Sequence, residues 1–146
     1  MEALVFIGLP GAGKSTFWKQ RFFDSHLRIN RDALRTKPRE TALIATCLRR
    51  RIRFALDNTS PTLAVRAPIV AAATAASFRV HAFYFEPDFA ASIARNARRR
   101  GQARVPTVAI SACAATLQRP SFEEGFTSIF SVWNGAEGFM VEEWPQ

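Results

Sequence analysis

The sequence predicts an α/β protein whose central five-stranded, mostly parallel sheet is flanked by helices. Two observations lead to that fold class. Short apolar runs alternate with longer helical patterns along the chain, which is typical of strand–helix–strand units around a parallel sheet. The first apolar run, residues 3–7, is unbroken and is followed at once by a glycine-rich turn, as expected for a strand buried on both faces. We find no repeat and no low-complexity linker, so we expect one domain over residues 1–146.

Residues 8–15, Gly-Leu-Pro-Gly-Ala-Gly-Lys-Ser, fit the phosphate-binding pattern G-x-x-x-x-G-K-[ST]. The glycines allow a tight turn in which backbone N–H groups and a helix N-terminus face an anion. Lys14 then reaches the β- and γ-phosphates as a catalytic residue, and the Ser15 hydroxyl coordinates Mg²⁺. The pattern therefore predicts a P-loop NTPase that binds ATP and Mg²⁺ through Gly11, Ala12, Gly13, Lys14, Ser15 and Thr16.

The other elements follow in order along the chain. Helices are predicted at residues 14–23, 31–35, 38–50, 61–77, 87–98 and 106–117, and strands at 27–30, 52–56, 79–85 and 126–133. Asn30 and Ser60 are predicted N-caps, and four prolines suit first helical turns: Pro38, Pro61, Pro87 and Pro106. An arginine-rich lid is expected to run up to Val105, and the tail from Asn134 receives no assignment.

Polar residues follow the second and third strands, at the sheet edge where open α/β proteins bind their ligands. They are Asn30, Asp32, Asp57, Asn58 and Thr59. Asp57 has the position of a Walker B acid, which orients Mg²⁺ or its water. We assign Asp57 and its neighbour Asn58 to the substrate site as well.

Asp32 and Arg35 are three residues apart on a predicted helix, so both can face one substrate. A carboxylate there can take the proton of an acceptor hydroxyl while the arginine neutralises phosphate charge. By spacing alone, an ordinary surface ion pair explains the same two residues equally well.

The charge distribution favours an anionic partner. The net charge is +8, and all 20 lysines and arginines lie within the first 119 residues. Arginine suits phosphate recognition because its planar fork binds two oxygens at once. A compositional bias towards arginine accounts for the bulk excess equally well.

No apolar run is long enough to span a membrane, and we see no signal peptide. The two cysteines, Cys47 and Cys113, are too few for a disulfide framework or a cysteine-ligated zinc site. We therefore expect a cytoplasmic protein.

Three stretches together resemble the 5′-polynucleotide kinases, especially the kinase domain of animal polynucleotide kinase–phosphatases, and also phage polynucleotide kinase. They are residues 8–17, Ile-Asn-Arg-Asp at 29–32 and Leu-Asp-Asn-Thr at 56–59. The likeness continues with Arg95-Asn96, Val105-Pro106 and Glu124-Gly125-Phe126, and so covers almost the whole chain.

The resemblance implies transfer of the γ-phosphate of ATP to the 5′-hydroxyl of DNA or RNA ends. It implies that Asp32 is the general base, that Arg35 contacts the scissile or neighbouring phosphate, and that Asp57 is the Walker B-like acid. Arg95 and Arg99 match lid arginines that clamp the donor phosphates, and their spacing of four supports a shared helical face. The choice among Arg98, Arg99 and Arg100 is open by one position. The phosphatase motif Asp-x-Asp-Gly-Thr does not occur in the chain, so a kinase without phosphatase activity is expected.

Two other functions fit the sequence. One is a P-loop kinase for a small molecule or a sugar nucleotide, which would share Lys14, Ser15 and Asp32 but would not need the basic excess. The other is a nucleotide-binding regulatory module that hydrolyses ATP slowly and binds a protein. The preference for DNA or RNA, the donor nucleotide and the oligomeric state stay open.

Overall fold

A computed structural model describes residues 1–101 and 104–146. The elements that position the site are, in chain order, β1 (Glu2–Ile7), α1 (Lys14–Arg21), β2 (Leu27–Ile29), α2 (Arg31–Leu34), α3 (Lys37–Arg50), β3 (Phe54–Leu56), α4 (Leu63–Ala75), β4 (Arg79–Phe85), α5 (Phe89–Ala97), α6 (Thr107–Thr116), β5 (Ser128–Gly135) and β6 (Gly138–Glu143). A 3₁₀ turn, Phe122–Glu124, precedes β5. None of the helices in these described ranges is long and apolar enough to cross a membrane.

The strands form one sheet in the order β2-β3-β1-β4-β5-β6. Strands β1 to β5 pair in parallel, whereas β6 runs antiparallel to β5. The predicted fold class, a mostly parallel sheet flanked by helices, is therefore confirmed. The predicted strand count of five is wrong, because the tail from Asn134 turns back through a two-residue loop and adds a sixth strand. Gly135 pairs with Gly138 across that turn.

Several predicted helix ends differ from the structure by one or two residues, and three of these differences are informative. Ser60 is not an N-cap: its φ is 44°, and Thr62 caps α4 instead by accepting a hydrogen bond from the Val65 N–H at 3.2 Å. Asp88 caps α5 in the same way, so α5 begins at Phe89, two residues after the expected start at Pro87. Helix α2 ends one residue before Arg35. In the first two cases the helix begins where a side-chain oxygen can accept the backbone N–H of the residue three positions later.

Aromatic packing under α1 makes one face of the sheet rigid. Phe6 of β1 lies with its ring centroid 5.8 Å from Phe17 of α1, 5.8 Å from Phe83 and 5.6 Å from Phe85 of β4. All four side chains are buried. Pairs at these separations add about 0.5–1.5 kcal/mol each beyond their burial. The loop between β1 and α1 therefore starts and ends in well-packed structure.

The opposite face packs against α3 and α4 through a second apolar cluster, which includes Val5, Ile29, Ile44, Leu56 and Val70. Strands β1 and β3 contribute to both clusters, as expected for central parallel strands buried on both sides. Helices on both faces leave the carboxyl edge of the sheet free for ligands.

Candidate active site

The glycine-rich loop has the backbone that its residues predict. Gly11 and Gly13 have φ values of 80° and 94°, a region that side chains disfavour. A Cβ on Gly11 would lie 2.6 Å from the carbonyl oxygen of Ser92, and one on Gly13 would lie 3.1 Å from the Phe139 ring. Glycine is thus required both by conformation and by the close approach of α5 and β6. Gly13 is the N-cap of α1 and leaves that helix end without a side-chain cap, so it can accept an anion.

Lys14 is folded back over this loop. Its Nζ donates hydrogen bonds to the carbonyl oxygens of Gly8 at 3.0 Å and Leu9 at 2.6 Å. Burial lowers the pKa of Lys14 to about 8, although the charge of Asp57 opposes that shift. The ammonium is therefore mainly charged at neutral pH in the free protein. An incoming phosphate would favour the charged form further.

Ser15 and Asp57 converge from α1 and from the end of β3. The Ser15 hydroxyl donates to Asp57 Oδ2 at 2.7 Å, and the Asp57 side chain is 2% exposed. A hydroxyl and a carboxylate are hard oxygen donors, which suit Mg²⁺ when nucleotide phosphates supply further ligands. No group of three or more His, Cys, Asp or Glu side chains that could hold a metal occurs in the described part of the chain. The pair therefore fits a metal that arrives together with a nucleotide.

Arg28 lies against this pair, a contact that the sequence did not predict. Its Nε donates to Asp57 Oδ2 at 2.7 Å, and its Nη2 donates to the Ser15 Oγ at 2.8 Å. Both residues predicted to bind Mg²⁺ therefore accept hydrogen bonds from the same arginine. Thr16, the remaining predicted nucleotide contact on α1, is exposed.

Helix α2 is held by a polar network that involves a second unforeseen residue, Glu40. The Arg31 side chain donates to both Glu40 carboxylate oxygens, at 3.0 and 2.8 Å. Asn58 donates to Glu40 at 2.8 Å and accepts the Arg31 N–H at 2.9 Å. Burial raises the pKa of Glu40, but the hydrogen bonds from Arg31 and Asn58 outweigh it and hold that pKa below its ordinary value. Both the oxygen and the nitrogen of the Asn58 amide therefore help to position α2.

The predicted N-cap of α2 is confirmed, and it links α2 to the residue that follows β3. Asn30 accepts a hydrogen bond from the Ala33 N–H at 3.0 Å. Its amide also donates to the backbone carbonyl of Asp57. This short helix, which alone would be unstable, is thereby fixed at the sheet edge.

Asp32 and Arg35 are both exposed at this edge. Arg35 does not lie on the helical face predicted for it, because it follows the end of α2 with a φ of 77°. Its backbone N–H closes the helix on the Arg31 carbonyl at 2.7 Å. Among the described residues, the Asp32 side chain has no hydrogen-bond or ion-pair partner. Its negative charge nevertheless contributes to raising the pKa of Lys14, so the two side chains are close enough to interact electrostatically.

Helix α5 brings the lid arginines to the loop. Arg95 Nη1 donates to the Gly11 carbonyl oxygen at 3.2 Å. The positive charge of Arg99 contributes to lowering the pKa of Lys14, so Arg99 lies close enough to Lys14 to interact with it electrostatically, whereas Arg98 and Arg100 are exposed. Asn96, on the same helix, is bonded to the backbone of Val105, whose N–H it accepts at 2.8 Å. Gln102 and Ala103 of the predicted arginine-rich loop lie outside the described residues.

A cleft of about 280 Å³ adjoins the loop between α5 and the end of β5. Ala12, Arg95, Trp133 and Asn134 are among its lining residues. Its volume is close to the lower end of known small-molecule sites. The cleft combines an aromatic ring, an amide and a cation next to the glycine-rich loop, which suits the nucleoside part of a nucleotide.

The sequence carried no usable signal for Arg28 or Glu40. Arg28 occupies a strand of three residues, and its partners are 13 and 29 residues away in the chain. Glu40 occurs in the first turn of α3, where an exposed glutamate is common. Both side chains obtain their partners only when α1, α2 and β3 meet at the same edge.

Comparison with known proteins is consistent with this geometry. Residues 4–120 match the family model described as the AAA domain. The bifunctional polynucleotide phosphatase/kinase of Schizosaccharomyces pombe is 26% identical over 135 residues, which are 90% of this chain. The chain spans about a third of the length of that relative, 33%.

Two solved structures show the same fold. Kti12 of Chaetomium thermophilum, crystallised with ADP-AlF3, superimposes with a TM-score of 0.69 and 14% identity over 92% of both chains. A gluconokinase from Sinorhizobium meliloti 1021 gives a TM-score of 0.61 and 17% identity over 90% of this chain and 81% of its own. Likenesses at these identities establish a P-loop kinase-like fold.

Proposed function

Because the chain belongs to the AAA domain family and has a P-loop kinase-like fold, we propose that it is a 5′-hydroxyl polynucleotide kinase. It would transfer the γ-phosphate of ATP to the 5′-hydroxyl of a DNA or RNA end. The observation that carries this proposal is the position of Asp32. The Arg31–Glu40 pair anchors α2, and the exposed carboxylate of Asp32 lies close enough to the P-loop lysine to act on its charge.

On the donor side, the loop and the N-terminus of α1 bind the ATP phosphates, and Lys14 exchanges its carbonyl partners for the β- and γ-phosphates. Arg95 and Arg99 close on the phosphates from α5 and stabilise charge on the phosphoryl group during transfer. Ser15 and Asp57 are the residues that would hold Mg²⁺, which neutralises phosphate charge when it is bound with the nucleotide. The nucleoside occupies the cleft beside Trp133 and Asn134.

On the acceptor side, Asp32 takes the proton of the 5′-hydroxyl as that oxygen attacks the γ-phosphorus. Arg35 binds a phosphate next to the acceptor or the transferring group. Its exposed position beyond the end of α2 leaves its guanidinium able to reach a substrate. Asn58 positions α2 in this scheme and does not touch the acceptor, because its amide is already bonded to Arg31 and Glu40.

Two further observations favour a nucleic-acid acceptor over a small one. The net charge of +8 includes 20 lysines and arginines, and the active site uses only a few of them, so other cations are available for a polyanion. The S. pombe relative, described as a bifunctional polynucleotide phosphatase/kinase, aligns with 90% of this chain.

The decisive experiment measures transfer of labelled phosphate from γ-labelled ATP to matched 5′-hydroxyl DNA and RNA oligonucleotides. The same oligonucleotides carrying a 5′-phosphate are the control, since they offer no acceptor hydroxyl. We expect label on the 5′-hydroxyl strands alone. Label on a small sugar or nucleoside acceptor, with none on the oligonucleotides, would indicate a small-molecule kinase. Nucleotide binding with slow hydrolysis and no acceptor would indicate a regulatory module.

A further inference from the structure

Arg28 occupies the place next to Ser15 and Asp57 where a cation is required. Its guanidinium bonds both side chains, at 2.8 Å to the Ser15 oxygen and at 2.7 Å to Asp57 Oδ2. The Ser15 hydroxyl itself donates to the same Asp57 oxygen at 2.7 Å. The three side chains thus form a closed triangle in which the charge of the buried carboxylate is already neutralised.

Metal binding requires the same atoms. Mg²⁺ binds oxygen at about 2.0–2.1 Å in octahedral geometry. The Arg28 N–H takes one of the two lone pairs of Ser15 Oγ, so Mg²⁺ on the other would share this oxygen with the guanidinium. A guanidinium held 2.8 Å from that oxygen would then lie beside a divalent cation, and like charges at this separation repel strongly in a partly buried site. The two cations therefore compete for one pair of ligands.

We propose that Arg28 and Mg²⁺ exclude one another at the Ser15–Asp57 pair. Arg28 is a built-in cation that holds this pair in the metal-free protein and leaves when the metal arrives with the nucleotide. Its hydrogen bonds set the Mg²⁺ concentration at which that exchange occurs. The Arg28 side chain is 30% exposed, so its guanidinium has a path into solvent. The inference rests on the proposed function only for the binding of a Mg²⁺–nucleotide at the P-loop, and it needs no particular acceptor.

Removing Arg28 has opposite effects with and without metal. With metal, Mg²⁺ no longer has to displace two charge-assisted hydrogen bonds, so its half-saturating concentration should fall by about tenfold or more. Without metal, Asp57 is left as an unpaired anion close to the phosphate site, so binding of metal-free ATP should weaken. This opposite response separates competition from general damage to the site.

The test uses binding of ATP by the full chain, titrated with Mg²⁺ from a metal-free buffer and followed by calorimetry. Arg28→Ala is compared with Arg28→Gln, which retains a hydrogen-bond donor without the charge. Arg53→Ala is the matched control, because Arg53 is exposed immediately before β3 and its loss removes the same charge. We expect both Arg28 variants to bind metal-free ATP more weakly and to need less Mg²⁺, while Arg53→Ala behaves as the wild type. Thermal unfolding verifies that each variant is folded.

The Nε–H signal of Arg28 in a nitrogen-15 NMR spectrum reports the exchange directly. The signal, identified by its absence in Arg28→Ala, should be protected from solvent in the free protein and with metal-free ATP. It should lose that protection when Mg²⁺ is added with ATP. The inference about Arg28 would be overturned if both variants bind ATP normally and need the same Mg²⁺ concentration as the wild type. It would also be overturned if the Arg28 Nε–H stays protected from solvent with Mg²⁺–ATP. Neither result would affect the proposed kinase function. Failure of oligonucleotide phosphorylation would leave these measurements valid, whereas no ATP binding by the wild type would overturn both proposals.

Discussion

Glu40 offers the sharpest test of how α2 is positioned. Glu40→Gln keeps the shape of the side chain but removes its charge and replaces one acceptor oxygen with a donor amide. Oε2 accepts from both Arg31 and Asn58, and Oε1 accepts from Arg31. At least one donor therefore loses its partner, whichever oxygen the amide replaces. We expect the substitution to loosen α2 and with it the exposed carboxylate of Asp32.

The size of the effect follows from exposure. Breaking a buried ion pair by removing one partner costs about 3–5 kcal/mol, and charge-assisted hydrogen bonds contribute about 1.5–3 kcal/mol. The Glu40 side chain is 5% exposed, but that of Arg31 is 42% exposed, so water can rehydrate the arginine and reduce the loss. We therefore expect Glu40→Gln to lower the free energy of unfolding by about 2–3 kcal/mol at neutral pH.

The pH dependence has a definite sign. The pKa of Glu40 is lower in the folded protein than its ordinary value of 4.5. Stabilisation by the ionised carboxylate is therefore fully present above pH 4.5 and is lost as the pH falls through the lower, folded-state pKa. The difference between wild type and Glu40→Gln should shrink on acidification below that value.

Urea unfolding followed by tryptophan fluorescence, at neutral pH and in acid, measures both effects. Glu137→Gln, at an exposed position in the β5–β6 turn, is the matched control and should change neither. A difference below about 0.5 kcal/mol, the usual range for surface substitutions, would refute the role of Glu40 as the anchor of α2. So would a difference that persists unchanged in acid. In kinetic measurements, phosphoryl transfer should fall while ATP affinity is retained.

Four further outcomes are expected. Lys14→Ala should abolish phosphoryl transfer while circular dichroism shows an intact fold, and wild-type turnover would remove the P-loop from the mechanism. Because the pKa of Lys14 is about 8, affinity for metal-free ATP measured by calorimetry should fall as the pH rises through that value; a flat profile would contradict it. Asp32→Asn should slow transfer by about 10²–10⁴-fold with ATP affinity unchanged, and near-normal rates with saturating oligonucleotide would exclude the base. Oligonucleotide affinity should fall steeply with salt, and a salt-independent affinity would favour a small acceptor.

The sequence predicted the parts of the fold that depend on local pattern. The bounds of β4, Arg79–Phe85, agree with the prediction residue by residue, because that run is apolar and bounded by turns. The N-cap role of Asn30 depends on a contact three residues away, so it too could be predicted. Strand β6 was missed because five of its six residues are exposed. An exposed edge strand has no apolar pattern to reveal it, and only the glycines at its turn gave a signal.

The parts that could not be predicted depend on pairs distant in sequence. No neighbouring residue in the sequence indicates that Arg28 contacts α1. None indicates that Glu40 binds a residue of α2. Arg35 was assigned to a helical face that the structure does not have, because its left-handed φ of 77° ends the helix. A short helix between two anchored ends is determined by its surroundings more than by its own residues.

In the proposed kinase, the segment of residues 57–59 would keep the donor and acceptor groups in a fixed relation. The Asp57 carboxylate binds Ser15 of α1, and the Asn58 amide binds Arg31 of α2. The Thr59 carbonyl accepts the Gly8 N–H at 3.0 Å, which ties the start of the P-loop to the same segment. Three consecutive residues thus bind three different elements, and a shift of any one would move the phosphate site relative to Asp32. Rigidity of this kind is what in-line transfer demands, since a misplacement of about 1 Å can cost about 10²-fold in rate.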